Sequence, residues 1–597
     1  MAQGIFFFVV GPSGAGKDSL IEGARAHLGT SGRYLFARRT ITRPSGAPGE
    51  DHAGVTPELF QASVAAGAFL LSWHAHGLSY GLSAELLQVL EEGRHVIANG
   101  SRKMIREAAT RVPHLVVIEI TASPEVLAAR ILGRGRETAE QASARVLRQV
   151  DALPADIETL RVDNDGTLAE GIGRFVDAVE TVAQRHAPLP SSHPLLLRKL
   201  QGHELNEAQY EQVLRDIIAG EYVDSEIRAF LVSASQHLSD AEVVALARVR
   251  TRFSPIMRWD RPIVVDKHSM GGVPGSRITL IVVPIVAAQG LLMPKTSSRA
   301  ITSAAGTADA MEVLAEVELT PEEVQHCIAQ TGACIAWNGR LNHSHLDEVM
   351  NAITRPLGID STRWAVASIL SKKLTAGSTH VIVDLPFGPG TKLATAEQAH
   401  TLGRLFEEVG ALLGLTVAAV ATDGSRPVGR GIGPALEVRD VRWVLEGSAE
   451  APADLREKAL SFAARILAWD PRIGSVEAGR ERAEYLLDGG QALAAFERII
   501  EVQGRRVPVM PSPSTWAVCA PCAGRVARLD GWRLAELARY AGAPGDKAAG
   551  MDLKVNLGTQ VAQGDVLYLL HASSEEGLER AAEQARIESG IILDEQA

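Results

Sequence analysis

The stretch Ile5-Phe6-Phe7-Phe8-Val9-Val10-Gly11-Pro12-Ser13-Gly14-Ala15-Gly16-Lys17-Asp18-Ser19 decides how the first third of the chain is read. An apolar run reads as a strand, a glycine-rich turn follows, and an amphipathic helix begins near Asp18. Glycines at 11, 14 and 16 let successive backbone N–H groups turn inward around a phosphate. The helix N-terminus adds positive potential, and Lys17 reaches the β- and γ-phosphates. Where this pattern normally carries Ser or Thr to hold Mg²⁺, the chain has Asp18 and then Ser19. A carboxylate or the next hydroxyl serves such a metal directly or through water. The loop therefore predicts ATP binding with Mg²⁺ near Asp18 and Ser19.

Outward from the loop, runs at 95–98 and 115–120 read as further strands, and 18–27, 124–132 and 139–153 as helices. This alternation implies a parallel sheet covered by helices on both faces. Three prolines in the eight residues 187–194 predict a semi-rigid linker. Beyond it, 195–247 is helical in pattern, strand and helix alternate from Asp266 to about 427, and a mixed pattern follows. The expected division is an α/β loop-bearing unit at 1–186, a linker at 187–194, a helical plus α/β core at 195–434 and a smaller α/β region at 435–597. The apolar stretch 278–294 is interrupted by Pro284, Gln289 and Gly290 and reads as a buried helix, not a membrane span.

A net charge of −11 argues against a dedicated nucleic-acid binder, since phosphate backbones demand basic surface. Four cysteines in 597 residues are too few for a secreted disulfide scaffold. Cys519 and Cys522 have a redox or half-zinc spacing, but Cys327 and Cys334 do not supply a second such pair. Without a basic region before the short run 5–10, no signal peptide is read and a cytoplasmic location is expected.

Arginines complete the N-terminal pattern: Arg39-Thr-Ile-Thr-Arg43, then Gly133-Arg134-Gly135-Arg136-Glu137, with Arg145 and Arg148 downstream. Over residues 4–180 this set resembles the guanylate-kinase-like nucleotide kinases. The resemblance implies that Arg39 and Arg43 grip the acceptor phosphate, and that Arg134, Arg136 and Arg145 lie in a lid over the transferring group. Phosphoryl transfer is mostly positioning and charge stabilisation, which such groups supply. Guanylate kinases place an acid where this chain has Ser72, before Trp73, and a second where it has Asn99. Without them guanine's N–H donors are left unpaired, so GMP is a poor acceptor. The phosphate loop and the Asn99-Gly-Ser-Arg102 string look instead like ribose 1,5-bisphosphate phosphokinases.

A second anion-binding segment runs Asp266-Lys267-His268-Ser269-Met270-Gly271-Gly272-Val273-Pro274-Gly275. It offers cations, a hydroxyl and a glycine turn that exposes backbone N–H groups. Hydroxyl-rich Ser297-Ser298-Arg299-Ala-Ile-Thr302-Ser303-Ala-Ala-Gly306-Thr307 follows, then Ser368-Ile-Leu-Ser371-Lys372-Lys373. Over about 195–590 these segments resemble the pyrimidine nucleoside phosphorylases and the related AMP phosphorylases. The resemblance implies that Lys267, Ser269, Thr279, Ser297 and Thr307 bind inorganic phosphate, which displaces a base from C1′ of a ribose, with His268 beside them. An arginine that binds the pyrimidine carbonyl in the thymidine enzymes falls here near Ile353, with Arg355 out of register. Gly272, Ser298, Arg299, Thr302, Ser303, Asp360, Ser368 and Lys392 follow the nucleotide-cleaving pattern instead, in which the aspartate protonates the leaving base, and Lys372 is counted with the substrate and phosphate residues. That role needs a raised pKa or a shared proton, whereas Asp360 also suits a helix N-cap.

Joined, the two resemblances imply a bifunctional enzyme of nucleotide salvage. A nucleoside monophosphate and phosphate would yield a base and ribose 1,5-bisphosphate, which ATP would convert to phosphoribosyl pyrophosphate. The rival readings are a thymidine phosphorylase fused to a kinase of separate purpose, or one fused to a regulatory ATP-binding module. A homodimer is implied by the resemblance, and neither nucleic acid nor membrane is expected as a partner.

Overall fold

The computed structural model describes residues 4–12, 14–29, 32–44, 52–75, 77–132, 153–186, 189–300, 303–341 and 362–595. The chain divides into two compact units, Met1–Leu189 and Pro190–Ala597.

In the first unit a five-stranded parallel sheet has the order β2-β7-β1-β8-β9, built from Tyr34–Phe36, His95–Asn99, Phe6–Val10, Leu115–Thr121 and Thr159–Asp163. Every residue of central β1 is buried, because successive side chains enter opposite cores. Phe7 and Val9 pack with Leu20, Ala24 and Phe175 on one face; Phe6, Phe8 and Val10 pack with Leu86, Met104 and Ile105 on the other. The helix Leu168–Arg185 closes the first face and starts at a capping box between Thr167 and Glu170. A second, four-stranded sheet of order β4-β3-β6-β5 combines His52–Gly54, Arg39–Ile41, Leu78–Ser83 and Phe69–Ala75.

The second unit opens with helices, and the first of them corrects the linker reading. His193–Leu200 is helical, so 193 and 194 are not part of a spacer. Asp216 anchors its start by accepting the Ser192 hydroxyl at 2.8 Å and the Ser192 N–H at 3.1 Å, and proline is tolerated in a first turn. Helices Glu207–Ile218, Asp224–Gln236, Asp240–Arg252, Thr362–Thr375 and Ala396–Leu412 share one core with it. Beside them lies a parallel sheet of order β10-β13-β14 (Val265–Ser269, His380–Phe387 and Thr416–Asp423), and the parallel pair β11-β12 (Met293–Ser297 and Ala333–Trp337).

The apolar stretch 278–294 is not one helix. The buried helix Thr279–Gln289 ends at Gly290, whose φ of 91° is left-handed, and β11 begins three residues later at Met293. That helix is the centre of a core that also takes in the helices Pro434–Leu445, Ala453–Leu467, Val476–Asp488 and Gln491–Gly504. The expected boundary at 434/435 therefore cuts through a core. A separate core starts later, among the antiparallel strands Thr515–Cys519, Gly524–Leu529, Gly550–Leu553 and Val566–His571 and the helix Gly531–Tyr540. Among the described residues no helix is long and apolar enough to cross a membrane.

Candidate active sites

The phosphate loop leaves the C-terminal end of β1. Gly14 and Gly16 have φ of 89° and 88°, the left-handed region in which a side chain is strained. A Cβ on Gly16 would also stand 2.6 Å from Asn164 Nδ2. The helix Lys17–Leu28 follows at once, so the N–H groups of its first turn lie next to the loop. Lys17 Nζ folds back across it, donating to the carbonyls of Gly11 at 2.8 Å and Pro12 at 3.1 Å. Asn164, just past β9, donates from Nδ2 to the Ala15 carbonyl at 2.8 Å and pins the loop from outside.

Asp18 points toward the second sheet. Its carboxylate accepts from Asn99 Nδ2 and lies 3.6 Å from the Arg39 guanidinium. Arg39 in turn covers the ring of Tyr80, which stacks on Trp73 with centroids 5.5 Å apart. Arg43 donates to His52 Nε2 at 3.2 Å. Ser72 pairs with Gly81 in the same sheet, and Ser19 is exposed. Arg102 is committed to buried Glu119 at 2.7 Å, so the Asn-Gly-Ser-Arg string splits into a loop-facing amide and a structural cation. Sequence reading missed Arg130, on the helix Pro124–Leu132. Its Nη1 is buried with no hydrogen-bond partner among the described residues and lies 3.8 Å from where a Gly16 Cβ would stand. Its signal was its place in the sequence, four residues before Arg134. Ser13, Arg134, Arg136 and Arg145 lie outside the described residues.

The second site forms at the C-terminal ends of β10 and β13, where the parallel register sets Ser269 beside Asp384. Ser269 Oγ donates to Asp384 at 3.0 Å, Thr422 Oγ1 donates to its other oxygen at 2.6 Å, and Lys458 Nζ is 3.1 Å away. Lys267, buried on β10, brings Nζ within 3.5 Å of the Thr279 hydroxyl at the start of the long buried helix. Behind it, Asp266 takes Lys373 at 2.7 Å and Lys295 at 3.5 Å. Four lysines thus surround two aspartates. Burial pushes Lys267 down to about 8, with Asp384 opposing and Lys458, Arg277 and Lys373 reinforcing the shift. Burial likewise pushes Lys295 down to about 7, and it and the surrounding lysines hold the His268 imidazole well below its ordinary value. Clustered buried cations in excess of their counter-charges make a well for an anion.

Around this well the expected residues divide. Gly272, at φ 89°, lets the segment approach Thr391 so closely that a Cβ would stand 3.2 Å from its Cα; exposed Lys392 follows. Thr307 accepts from Arg277 Nη1 at 3.3 Å, and Arg277 is itself paired with buried Glu437. Ser297 ends β11, buried; Ser298 is exposed, and Ser303 donates to the Ala305 carbonyl at 3.0 Å. Arg299 is turned into a carboxylate cluster, paired with Glu312 and with Glu318 at 2.9 Å, over the Trp337 ring. Ser368 accepts from buried Arg250 at 3.1 Å, and Lys372 is half-buried on the same helix. Asp384, Lys458, Thr422 and Arg250 were missed by sequence reading, since each meets its partner across at least 36 residues of chain. Thr302, Asp360 and Arg355 lie outside the described residues.

The guanylate kinase family model matches residues 6–166, and the glycosyl transferase family models match 193–253 (helical bundle domain) and 261–493 (a/b domain). The pyrimidine nucleoside phosphorylase C-terminal domain matches 526–591. Proteins named bifunctional ribose 1,5-bisphosphokinase-thymidine phosphorylase are similar along their length. That of Cupriavidus pinatubonensis is 59% identical, covering 97% of this chain and 96% of its own. Those of Cupriavidus necator and Azorhizobium caulinodans are 58% and 52% identical, covering 98% and 100% of this chain and 97% and 98% of theirs. The chain belongs to this bifunctional family. It is an α/β transferase that carries a kinase-family unit and a glycosyl-transferase-family unit. The a/b match at 261–493 runs across residue 435, in keeping with the continuous core there.

Proposed function

We propose that the first unit transfers the γ-phosphoryl group of ATP to ribose 1,5-bisphosphate, and that the second uses inorganic phosphate to cleave the N-glycosidic bond of a nucleoside monophosphate. The second reaction yields ribose 1,5-bisphosphate, the acceptor of the first, and the sequence yields a free base and phosphoribosyl pyrophosphate. One observation carries the reading: a phosphate loop and a buried cationic well occupy a single chain whose bifunctional relatives match it almost from end to end. In the kinase, Lys17 and the loop N–H groups hold the nucleotide phosphates, with Arg130 as a further donor. Arg39 and Arg43 hold the acceptor, and Asp18 orients Arg39. Two glycines at positive φ, a helix N-terminus and the buried Nη1 of Arg130 fit a nucleoside triphosphate; Asp18 and Ser19 stand nearest to where Mg²⁺ would neutralise its charge.

In the phosphorylase, Lys267, Ser269 and Thr279 hold the attacking phosphate in line with C1′, where its charge stabilises the developing oxocarbenium character. Asp384 fixes the Ser269 hydroxyl and Lys458. Asp360 protonates the departing base, a role carried by the family resemblance. A homodimer completes the proposal.

Thymidine is the second reading. It is favoured by the names of the relatives and by Arg299, whose guanidinium is balanced by carboxylates and so is not free to grip a 5′-phosphate. Its product, 2-deoxyribose 1-phosphate, lacks the 5-phosphate the kinase acceptor carries. Incubating the protein with AMP, CMP, UMP or thymidine plus phosphate, following base release by chromatography, and then adding ATP with ³¹P detection separates the readings. Rapid thymidine cleavage with no base released from any nucleotide refutes the nucleotide reading.

A further inference from the structure

At the end of the first unit's sheet opposite the phosphate loop, two imidazoles and a carboxylate converge. His114 immediately precedes β8, Glu158 immediately precedes β9, and His186 caps the C-terminal end of the helix Leu168–Arg185. One ligand atom from each residue lies within 4.8 Å of both others. The backbone holds the three in place: the His114 carbonyl accepts from Phe6 N–H at 2.8 Å, the Glu158 carbonyl from Val117 N–H at 2.9 Å, and His186 N–H bonds the Val182 carbonyl at 3.3 Å. The rings of His114 and His186 meet edge to face with centroids 4.1 Å apart, and His186 Nε2 is 3.3 Å from Glu158 Oε2. About a third of the His186 and Glu158 side chains is exposed, 34% and 35%, so solvent reaches the cluster.

We propose that His114, Glu158 and His186 form a site for a divalent transition metal of the zinc class, bound by two imidazole nitrogens and one carboxylate oxygen with water in the remaining position. Four-coordinate zinc uses these ligand types at about 2.0–2.2 Å. Mg²⁺ and Ca²⁺ prefer oxygen donors and are not the fitting ions. Arg185, 3.8 Å from the Glu158 carboxylate, is the cation the metal would displace.

The site is distinct from the nucleotide cradle. Phe6 pairs with Leu115 at one end of β1 and Val10 with Glu119 at the other, so the loop and the cluster are separated by a five-residue strand, about 16 Å. The metal would tie the end of the unit's last helix to the entries of β8 and β9. That helix buries Phe175, Val179 and Val182 in the core under the loop, so the tie stabilises the kinase unit rather than taking part in transfer.

To test this, full-length protein stripped with chelator is titrated with Co²⁺, followed by its d–d absorption, and with Zn²⁺ by calorimetry. One equivalent per chain is expected, with a rise in the thermal transition of the kinase unit. His114→Ala and His186→Ala should each weaken binding on the order of 100-fold or more. Glu158→Gln, which keeps the side chain's shape, guards against loss of fold as the cause, checked by circular dichroism. Cys519→Ser/Cys522→Ser should bind as the parent does. Failure to bind one equivalent, or binding that survives loss of both histidines and disappears with the cysteines, overturns the proposal.

Discussion

Lys267 gives the most direct test of the cationic well. Burial lowers its pKa from 10.5 to about 8, which at about 1.4 kcal/mol per unit means that keeping it charged in the folded protein costs about 3 kcal/mol. The penalty is full below about pH 8 and is relieved as pH rises toward 10.5, because the unfolded chain then binds the proton that the folded chain has lost. Stability of the free enzyme should therefore rise across that window on account of this group. Activity should do the opposite. The phosphate-competent form is the ammonium, about 90% populated near pH 7 and about 10% near pH 9 for a pKa of about 8. The value of kcat/KM for phosphate should fall about tenfold over that interval, and bound phosphate, which restores the charge, should draw in a proton above about pH 8. Calorimetry in buffers of different ionisation enthalpy measures that uptake. Lys295, lowered to about 7, titrates earlier, so the fall is read on the alkaline side. Lys267→Arg keeps a charge throughout and should flatten the profile at a lower overall rate. If the arginine variant falls with the parent's midpoint, or if phosphate binds without proton uptake, the reasoning is wrong.

The two chemistries should separate by mutation. Lys17→Ala removes the ammonium that spans the phosphate loop and should lower phosphoryl transfer by about 10³-fold while leaving phosphorolysis unchanged; equal loss in both assays would contradict independent sites. Gly275→Ala should do the reverse. Its φ is +73° and a Cβ would stand 2.3 Å from the Val428 carbonyl oxygen, so a cost of about 2 kcal/mol or more is expected, read as a lower melting temperature and lost phosphorolysis with kinase activity retained. Lys199→Met leaves Glu242, buried beside it at 2.6 Å, without its counter-charge. A loss of about 3–5 kcal/mol is expected by denaturant melting, part of it regained in Lys199→Met/Glu242→Gln, and an unchanged midpoint would show that the pair is not buried as described.

Local devices were legible from residue order alone. A buried strand, a glycine turn and a helix start are adjacent in the chain, so residues 5–19 disclose that strand, turn and helix before any fold is known. The same holds for the Asp266–Gly275 segment, and for the helix-rich stretch after the linker, where periodicity is a property of neighbours. What tertiary structure alone decided are the pairings between distant residues. Asp384 reaches Ser269 across 115 residues, Arg250 reaches Ser368 across 118, and Arg299 turns to Glu312 and Glu318 rather than outward. It also carried one core through the expected boundary at 435, because the apolar faces of four later helices find their complement in the helix Thr279–Gln289. Periodicity shows that a face must be covered. Only packing shows by what, and the burial it imposes, with the charges that meet there, sets the pKa values on which the chemistry depends.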